Sequence, residues 1–202
     1  MSRTTLPIAG LRGALVVLAA VVAGCSGAHS TKSAPLTATS QRDPTTTAPN
    51  ADPKSEIYAA VIRRLVMKDH GFGRAPSPYG HVYVRNAVVR GAGDPMATHL
   101  RLQAPFAEST QARIAAQLGD LPPLTFVSSV KEATVSGPGE WHAKHRGVLI
   151  TLGPIRRLDA RTVLVSNSRW STPLNGQWLT YRLELRHGSW RVAGPVGSMA
   201  IS

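Results

Sequence analysis

The chain has 202 residues, with 23 lysines and arginines against 11 acidic residues, and it contains a single cysteine. This length suits one globular domain with a tail, and one cysteine excludes an intramolecular disulfide, so packing of the core has to stabilise the fold. The formal net charge of +12 attracts anionic partners such as lipid headgroups, acidic envelope polymers or nucleic acid. A solvated, arginine-rich surface is the alternative explanation of this charge.

Residues 1–25 fall into three zones that together predict a signal peptide. A positive zone carries Arg3 and Arg12, an apolar run occupies residues 14–23, and small residues lie directly before Cys25. The apolar run has about ten residues, whereas a membrane-spanning helix needs about 20. We therefore expect export with a cleavable signal, and this makes nucleic acid the least favoured partner.

The tetrapeptide at residues 22–25, Val-Ala-Gly-Cys, resembles the lipobox of bacterial lipoproteins. In that family a diacylglyceryl group with fatty acids such as palmitate is attached to the cysteine sulfur, and cleavage falls just before the cysteine. The resemblance implies cleavage between Gly24 and Cys25, and a lipid anchor on the outer, extracytoplasmic face of the cell membrane. Two or more acyl chains anchor a protein stably, whereas one binds only marginally. An ordinary signal with an incidental cysteine is the alternative.

A lipidated tether is predicted over residues 25–51, because Ser, Thr, Ala and Pro dominate and no apolar periodicity is present. At coil scaling it would be disordered and reach about 26 to 31 Å from the membrane. Residues 1–24 would be the signal peptide, and residues 52–202 a single α+β domain.

The domain is predicted to begin with a helix at residues 54–69. Asp52 is a suitable N-cap, and Pro53 suits the first helical position. Apolar residues recur at three- and four-residue spacing and give the helix one stripe: Ile57, Tyr58, Val61, Ile62, Leu65 and Val66. His70 and Gly71 end the helix.

A second, shorter helix is predicted at residues 109–118, with strands before and after it. Alternation or enrichment in valine and tyrosine marks the candidate strands: residues 81–89, 96–103, 124–130, 148–152, 162–168, 178–186 and 189–193. The segment 96–103 is the weakest of them. We expect both helices to pack on an antiparallel sheet of about five to six strands.

The last two strands form the most complete pattern. Apolar residues alternate with mainly polar ones through residues 178–186, and His187-Gly188 makes a two-residue turn. This turn sets the register, so three cross-strand pairs are predicted: Leu183 with Val192, Glu184 with Arg191, and Leu185 with Trp190.

Three segments resemble the carboxy-terminal half of uncharacterised exported bacterial proteins: Gly147–Ile155, Asn175–Tyr181 and Gly188–Val192. A helix followed by antiparallel strands that end in Gly-x-Trp-x-Val more loosely resembles the NTF2-like and cystatin-like folds. This resemblance implies a scaffold used by binding proteins, adaptors and some enzymes, without naming a reaction. The relatives have a cysteine pair where this chain has Ser171 and Asn175, so a redox role of that loop would be lost here.

Metal-ligating residues are sparse. His142 and His145 could share a metal ion if a turn brought them together. Lys144 and Arg146 lie beside them and favour a solvated loop instead. We therefore expect neither a metal nor another cofactor.

Acid-base catalysis would require the fold to bring Asp69 or Asp94 near His70, His81 or His99. The chain contains no Gly-x-Ser-x-Gly nucleophile motif and no phosphate loop with its lysine. A catalytic residue is therefore not assigned, and we expect a protein without enzymatic activity.

Trp178 is predicted on the outer face of its strand beside Arg182 and Arg186. An exposed aromatic side chain with cations would suit an anionic glycan or lipid, whereas burial of Trp178 under another element is the alternative.

The expected function is a membrane-anchored, non-catalytic binding or assembly module at the cell envelope. The alternatives are an NTF2-like small-molecule enzyme or ligand-binding protein, and a basic domain that binds anionic lipid or cell-wall polymer.

Overall fold

The structure is a computed structural model that describes residues 52–73, 76–137 and 140–202. The predicted signal peptide, Cys25 and the predicted tether up to residue 51 lie outside the described residues. Within them, the elements in chain order are α1 (Pro53–Met67), β1 (Val82–Arg90), β2 (Arg101–Pro105), α2 (Glu108–Gln117), β3 (Leu124–Val127), α3 (Val130–Ala133), β4 (Thr134–Gly137), β5 (Glu140–Ala143), β6 (Val148–Arg157), β7 (Thr162–Thr172), β8 (Asn175–Arg186) and β9 (Ser189–Ile201). The architecture is α+β, as predicted.

Helix α1 begins as its sequence predicts. The Asp52 side chain accepts a hydrogen bond from the Lys54 backbone N–H at 3.1 Å, and Pro53 occupies the first turn. All six residues of the predicted apolar stripe are buried. None of the helices in the described residues is long and apolar enough to cross a membrane.

The main sheet is mixed, with the strand order β2-β1-β6-β7-β8-β9 and with β3 paired to β1 as well. Strand β1 runs parallel to both β3 and β6, so the prediction of an antiparallel sheet was wrong for this half. The chain between β1 and β6 contains α2, α3 and the small β4–β5 hairpin. Such a long crossover can return the chain to the end where β1 began, which parallel pairing requires.

The other half of the sheet, β6 to β9, is antiparallel. The predicted β8–β9 register is confirmed in all three pairs. His187 and Gly188 have φ values of 49° and 76°, as a turn with two left-handed residues requires. Strand β9 is longer than predicted and forms one edge of the sheet.

The β4–β5 hairpin was not predicted, because each of its strands has only four residues and neither alternates clearly. The prediction of a loop around His142 was therefore wrong for the residues that form β5. With α3, this hairpin lies over the sheet face opposite α1 and covers a small cluster of buried side chains: Tyr83, Val127, Ala133 and Leu149.

The larger core lies between α1, α2 and the other face of the sheet. It combines the α1 stripe with inward residues of β1, β6, β7 and β8, including Val84, Ile150, Val165 and Tyr181. Buried residues of both clusters lie between Ile57 and Trp190. The chain after the predicted signal peptide therefore contains the core that holds the domain together.

Candidate functional site

The candidate site is a buried polar cluster where β7 meets the end of α1. Alternate residues of β7 face the α1 side of the sheet, and the first two of these, Val163 and Val165, belong to the core. The next two, Asn167 and Arg169, are equally buried although polar. Arg169 is only 2% exposed, which is rare for an arginine without a charged partner.

Four neutral oxygen atoms accept hydrogen bonds from the Arg169 guanidinium. Nε donates to the backbone oxygen of Asp69 at 2.6 Å and to Gln177 Oε1 at 3.0 Å, and Nη1 donates to the Tyr79 hydroxyl at 3.1 Å and to Asn175 Oδ1 at 2.5 Å. In the described part of the chain, no carboxylate oxygen forms an ion pair with Arg169. The guanidinium is thus well positioned, but its charge is not neutralised.

The two remaining N–H donors of the Arg169 guanidinium belong to Nη2. Among the described residues, no atom accepts a hydrogen bond from it. It lies close to the backbone at Gly71, which has a φ of +85°, and a Cβ atom at Gly71 would lie 2.7 Å from Nη2. Glycine here permits both the left-handed backbone and the close approach.

The carboxylate of Asp69 lies beside this cluster but has its own partners. It accepts hydrogen bonds from the Tyr181 hydroxyl at 2.5 Å and from Arg64 Nε at 2.8 Å. Burial, followed by the hydrogen bond to Asp69, raises the pKa of Tyr181 above its ordinary value. Tyr181 therefore stays protonated and donates, while the negative charge of Asp69 is balanced by Arg64.

A cleft of about 450 Å³ opens beside these residues. Its polar lining includes Arg64, Lys68, Asp69, Arg169 and Gln177, and its apolar lining includes Leu179, Pro195, Met199 and Ile201. Three cationic side chains thus line the cleft against one carboxylate. A cleft with an apolar wall and a few convergent polar groups is the usual form of a small-ligand site.

A larger groove of about 520 Å³ lies between α1, α2 and the β8–β9 hairpin. Its charged groups are mostly satisfied within the protein. Arg63 is paired with Asp120, and Glu56 Oε1 accepts the Trp190 backbone N–H at 3.0 Å. The smaller cleft at Arg169 is therefore the stronger candidate.

The predicted ligand surface of Trp178, Arg182 and Arg186 is spread along β8. Four residues separate Trp178 from Arg182 and eight separate it from Arg186, or about 13 and 26 Å along a strand. Trp178 is half-buried, and its ring lies against Gly176, where a Cβ atom would be 2.5 Å from the ring. Arg182 and Arg186 are exposed, and both contact Glu184.

The histidines considered for a metal site have separate contacts. His142 lies on β5 opposite Val135, whereas His145 Nδ1 is 2.7 Å from the Tyr83 hydroxyl. His81 lies near the same tyrosine, with 5.8 Å between the centres of the His81 and His145 rings. Throughout the described residues, no group of three or more His, Cys, Asp or Glu side chains could hold a metal ion.

The acid-base candidates are not brought into contact either. The His70 ring is buried, and its Nδ1 accepts the Phe72 backbone N–H at 3.1 Å. Asp94 Oδ1 accepts the Met96 backbone N–H at 2.8 Å and so stabilises its own turn. Within the described residues, no histidine hydrogen-bonds to a carboxylate.

The sequence reasoning missed Arg169, which is the centre of the candidate site. The predicted strand ended at Ser168, one residue before Arg169 and four residues before the end of β7 at Thr172. A longer strand would have placed Arg169 on the same apolar face as Val163 and Val165. An arginine on that face was the sequence signal that could have indicated the site.

Comparison with protein-family models, with curated proteins and with solved structures finds no match to this chain.

Proposed function

We propose that the protein is a lipid-anchored, extracytoplasmic binding module whose cleft at Arg169 receives an anionic group. One observation carries the binding role: a buried guanidinium in the lining of the cleft, whose protein acceptors are neutral and whose Nη2 has no acceptor among the described residues. Burying an unpaired charge costs on the order of several kcal/mol. A bound anion would offset this cost.

A carboxylate or phosphate group is the chemistry that fits. Such groups form short, charge-assisted hydrogen bonds with guanidinium N–H donors. Lys68 lines the same cleft and would add favourable electrostatic energy, whereas the charge of Arg64 is already balanced by Asp69. The apolar wall formed by the exposed Met199 and Ile201 would contact a non-polar part of the ligand, so an amphiphilic anion is the proposed ligand class.

A role without catalysis is proposed because the groups that could transfer protons have structural partners. Asp69 is held by Arg64 and Tyr181, and His70 by the backbone of Phe72. The alternative is a small-molecule enzyme on an NTF2-like or cystatin-like scaffold. That finer architecture remains a proposal, supported by α1 packed across the antiparallel strands β6 to β9. Turnover of an anionic substrate that depends on Asp69 would favour the enzyme.

The anchor at Cys25 is the second part of the proposal and rests on the lipobox resemblance. Its test is the intact mass of the protein purified from the membrane of a bacterium that processes lipoproteins. A mass that corresponds to residues 25–202 plus a diacylglyceryl group supports the anchor. A start at Cys25 with a free thiol would contradict it.

The test of the cleft is an NMR titration of the mature chain, residues 25–202, with Cys25→Ser and labelled arginine side chains. Inorganic phosphate and acetate are the probes. We expect the Nε–H signal of Arg169 to shift and saturate with one of them, because that guanidinium makes the contact. Lys68→Gln should weaken binding about fivefold, the effect of about 1 kcal/mol from one neighbouring charge.

A matched control is Lys131→Gln, which removes an exposed positive charge from α3, away from the cleft. We expect this variant to bind the probe like the parent chain. If the Arg169 signal does not respond to either probe, or if both variants weaken binding equally, the cleft is not an anion site. Neither result would bear on the anchor.

A further inference from the structure

One end of the domain carries a dense group of exposed arginines that the cleft does not use. They lie in two segments, residues 156–161 and 182–191, and all are exposed: Arg156, Arg157, Arg161, Arg182, Arg186 and Arg191. We call this surface the arginine end. These two segments contain only two carboxylates, Asp159 and Glu184.

The two segments form one surface because their turns lie side by side. The Leu185 backbone N–H donates to the Arg161 carbonyl at 2.8 Å, and Arg161 Nη2 donates back to the Leu185 carbonyl at 3.2 Å. Across the strands, Arg156 is paired with Leu164, which is paired with Arg182. Arg156 and Arg182 therefore share one face of the sheet, two strands or about 10 Å apart.

Internal ion pairs leave most of this charge available. Glu184 contacts Arg182 at 2.9 Å and Arg186 at 2.6 Å, so it neutralises only part of their charge. The Asp159 carboxylate accepts the Arg161 backbone N–H at 2.7 Å and stabilises its own turn. In the described structure, Arg157 and Arg191 form no ion pair.

The tip of the β6–β7 turn adds an apolar group to this surface. Leu158 lies between Arg157 and Asp159 and is 50% exposed. Exposed arginines around an apolar side chain match a lipid surface, where headgroups bind the cations and the apolar group enters the boundary region. A soluble acidic polymer would use the charges but would leave the leucine without a partner.

The described part of the chain also begins at this end. Helix α1 is held to the start of β9 by the hydrogen bond between Glu56 and the Trp190 backbone. Asp52 precedes Glu56 by four residues, or about 6 Å of helix. Asp52, the first described residue, therefore lies near the arginine end.

We infer that the arginine end docks on the anionic phospholipid headgroups of the membrane to which Cys25 is proposed to anchor the chain. This inference rests on the proposed anchor for the identity of the membrane. The surface itself is independent of lipidation. Docking would turn the opposite end of the sheet, with the exposed Leu174 and Ile201, away from the bilayer.

The test is co-sedimentation of the mature chain with Cys25→Ser, which carries no lipid, with vesicles of phosphatidylcholine with or without phosphatidylglycerol. We expect binding only with phosphatidylglycerol, and weaker binding at high salt. The double variant Arg157→Ser, Arg191→Ser should bind about 25-fold more weakly, at about fivefold for each basic residue near a membrane surface. Leu158→Ser should weaken vesicle binding about fivefold, since half of a leucine side chain is available for burial.

The matched control is Lys131→Ser, Arg146→Ser, which removes two exposed charges elsewhere on the domain. It should reduce vesicle binding by less than about twofold, the weak effect of charges beyond the screening length. Equal losses in both double variants, or no binding to phosphatidylglycerol vesicles, would overturn the inference. The surface would instead be assigned to an acidic polymer if soluble polyphosphate bound as tightly as the phosphatidylglycerol vesicles. In that case the arginine variants should weaken polyphosphate binding equally, and Leu158→Ser should have no effect. The intact mass tests the anchor separately.

Discussion

The hydrogen bond between Tyr181 and Asp69 leads to a quantitative prediction. Tyr181 is fully buried, and its hydroxyl donates to a carboxylate at 2.5 Å. Tyr181→Phe keeps the ring and its packing and removes only the hydroxyl. A hydrogen bond to a charged group contributes about 1.5 to 3 kcal/mol, so the free energy of unfolding should fall by about 2 kcal/mol.

Tyr58→Phe is the matched control, because it removes an equally buried hydroxyl from a neutral bond. Tyr58 donates to the Gly153 carbonyl at 3.1 Å. A bond between neutral groups contributes about 1 kcal/mol. For a domain of this size the midpoint of thermal unfolding should fall by about 4 to 8 °C for Tyr181→Phe and about half as much for Tyr58→Phe.

Urea unfolding followed by circular dichroism measures both variants. If Tyr181→Phe costs no more than Tyr58→Phe, the carboxylate does not strengthen the bond, and the described arrangement around Asp69 is wrong. A double-mutant cycle with Asp69→Asn provides a second check. The Tyr181→Phe substitution should cost at least about 1 kcal/mol less in the Asp69→Asn background, because the charged acceptor is already absent.

Burial raises the pKa of four tyrosine hydroxyls above 10.0: Tyr58, Tyr79, Tyr83 and Tyr181. Unfolded tyrosines lose protons above pH 10 that the folded protein keeps, so the free energy of unfolding should be complete below about pH 10 and should fall above it. The largest loss, about 1.4 kcal/mol per pH unit for each residue, is expected from Tyr58 and Tyr181. Urea midpoints that do not change up to pH 11 would contradict this. Burial, and then the neighbouring His145, lowers the pKa of His81 below its ordinary 6.5. The contribution of His81 to the free energy of unfolding is therefore complete above pH 6.5 and is lost as the pH falls through the lowered pKa of the folded state. NMR titration of His81 should find this lowered pKa. The variant His145→Asn should raise the pKa of His81, and asparagine tolerates the φ of 55° at this position. An unchanged pKa of His81 in this variant would remove His145 as a cause. Gly153→Ala should destabilise the domain by about 3 kcal/mol, because the added Cβ would overlap the Ser166 backbone oxygen on β7. Gly119→Ala is the control and should change stability little, because the space around Gly119 is open. Similar urea midpoints for the two variants would refute this packing.

Local patterns predicted the elements whose partners are close in sequence. The apolar stripe of α1, its Asp52 cap and the register of the β8–β9 hairpin each depend on residues within one helix or across one turn. In such cases the spacing of side chains and the turn residues determine the geometry. The export signal and Cys25 anchor remain predictions, because they lie outside the described residues.

Long-range pairing decided what local patterns could not. Alternation in β1 indicates that it is a strand but contains no information about direction, so its parallel partners β3 and β6 were not predicted. The small β4–β5 hairpin is ordered by packing on the sheet, as the contact between the Trp141 and Trp170 rings indicates, with 4.9 Å between the ring centres. Sequence spacing does not report such packing.

The same distinction applies to the two surfaces proposed to bind ligands. The excess of arginine over acidic residues is a property of the sequence alone, and it predicted an anionic partner. Which arginine is buried and which are exposed was decided by tertiary structure. Arg169 became a candidate site only because the end of α1, the residues near Tyr79 and strand β8 converge on it with neutral acceptors. The exposed arginines became one surface only because two turns distant in sequence lie side by side, so that their charges act together on one partner.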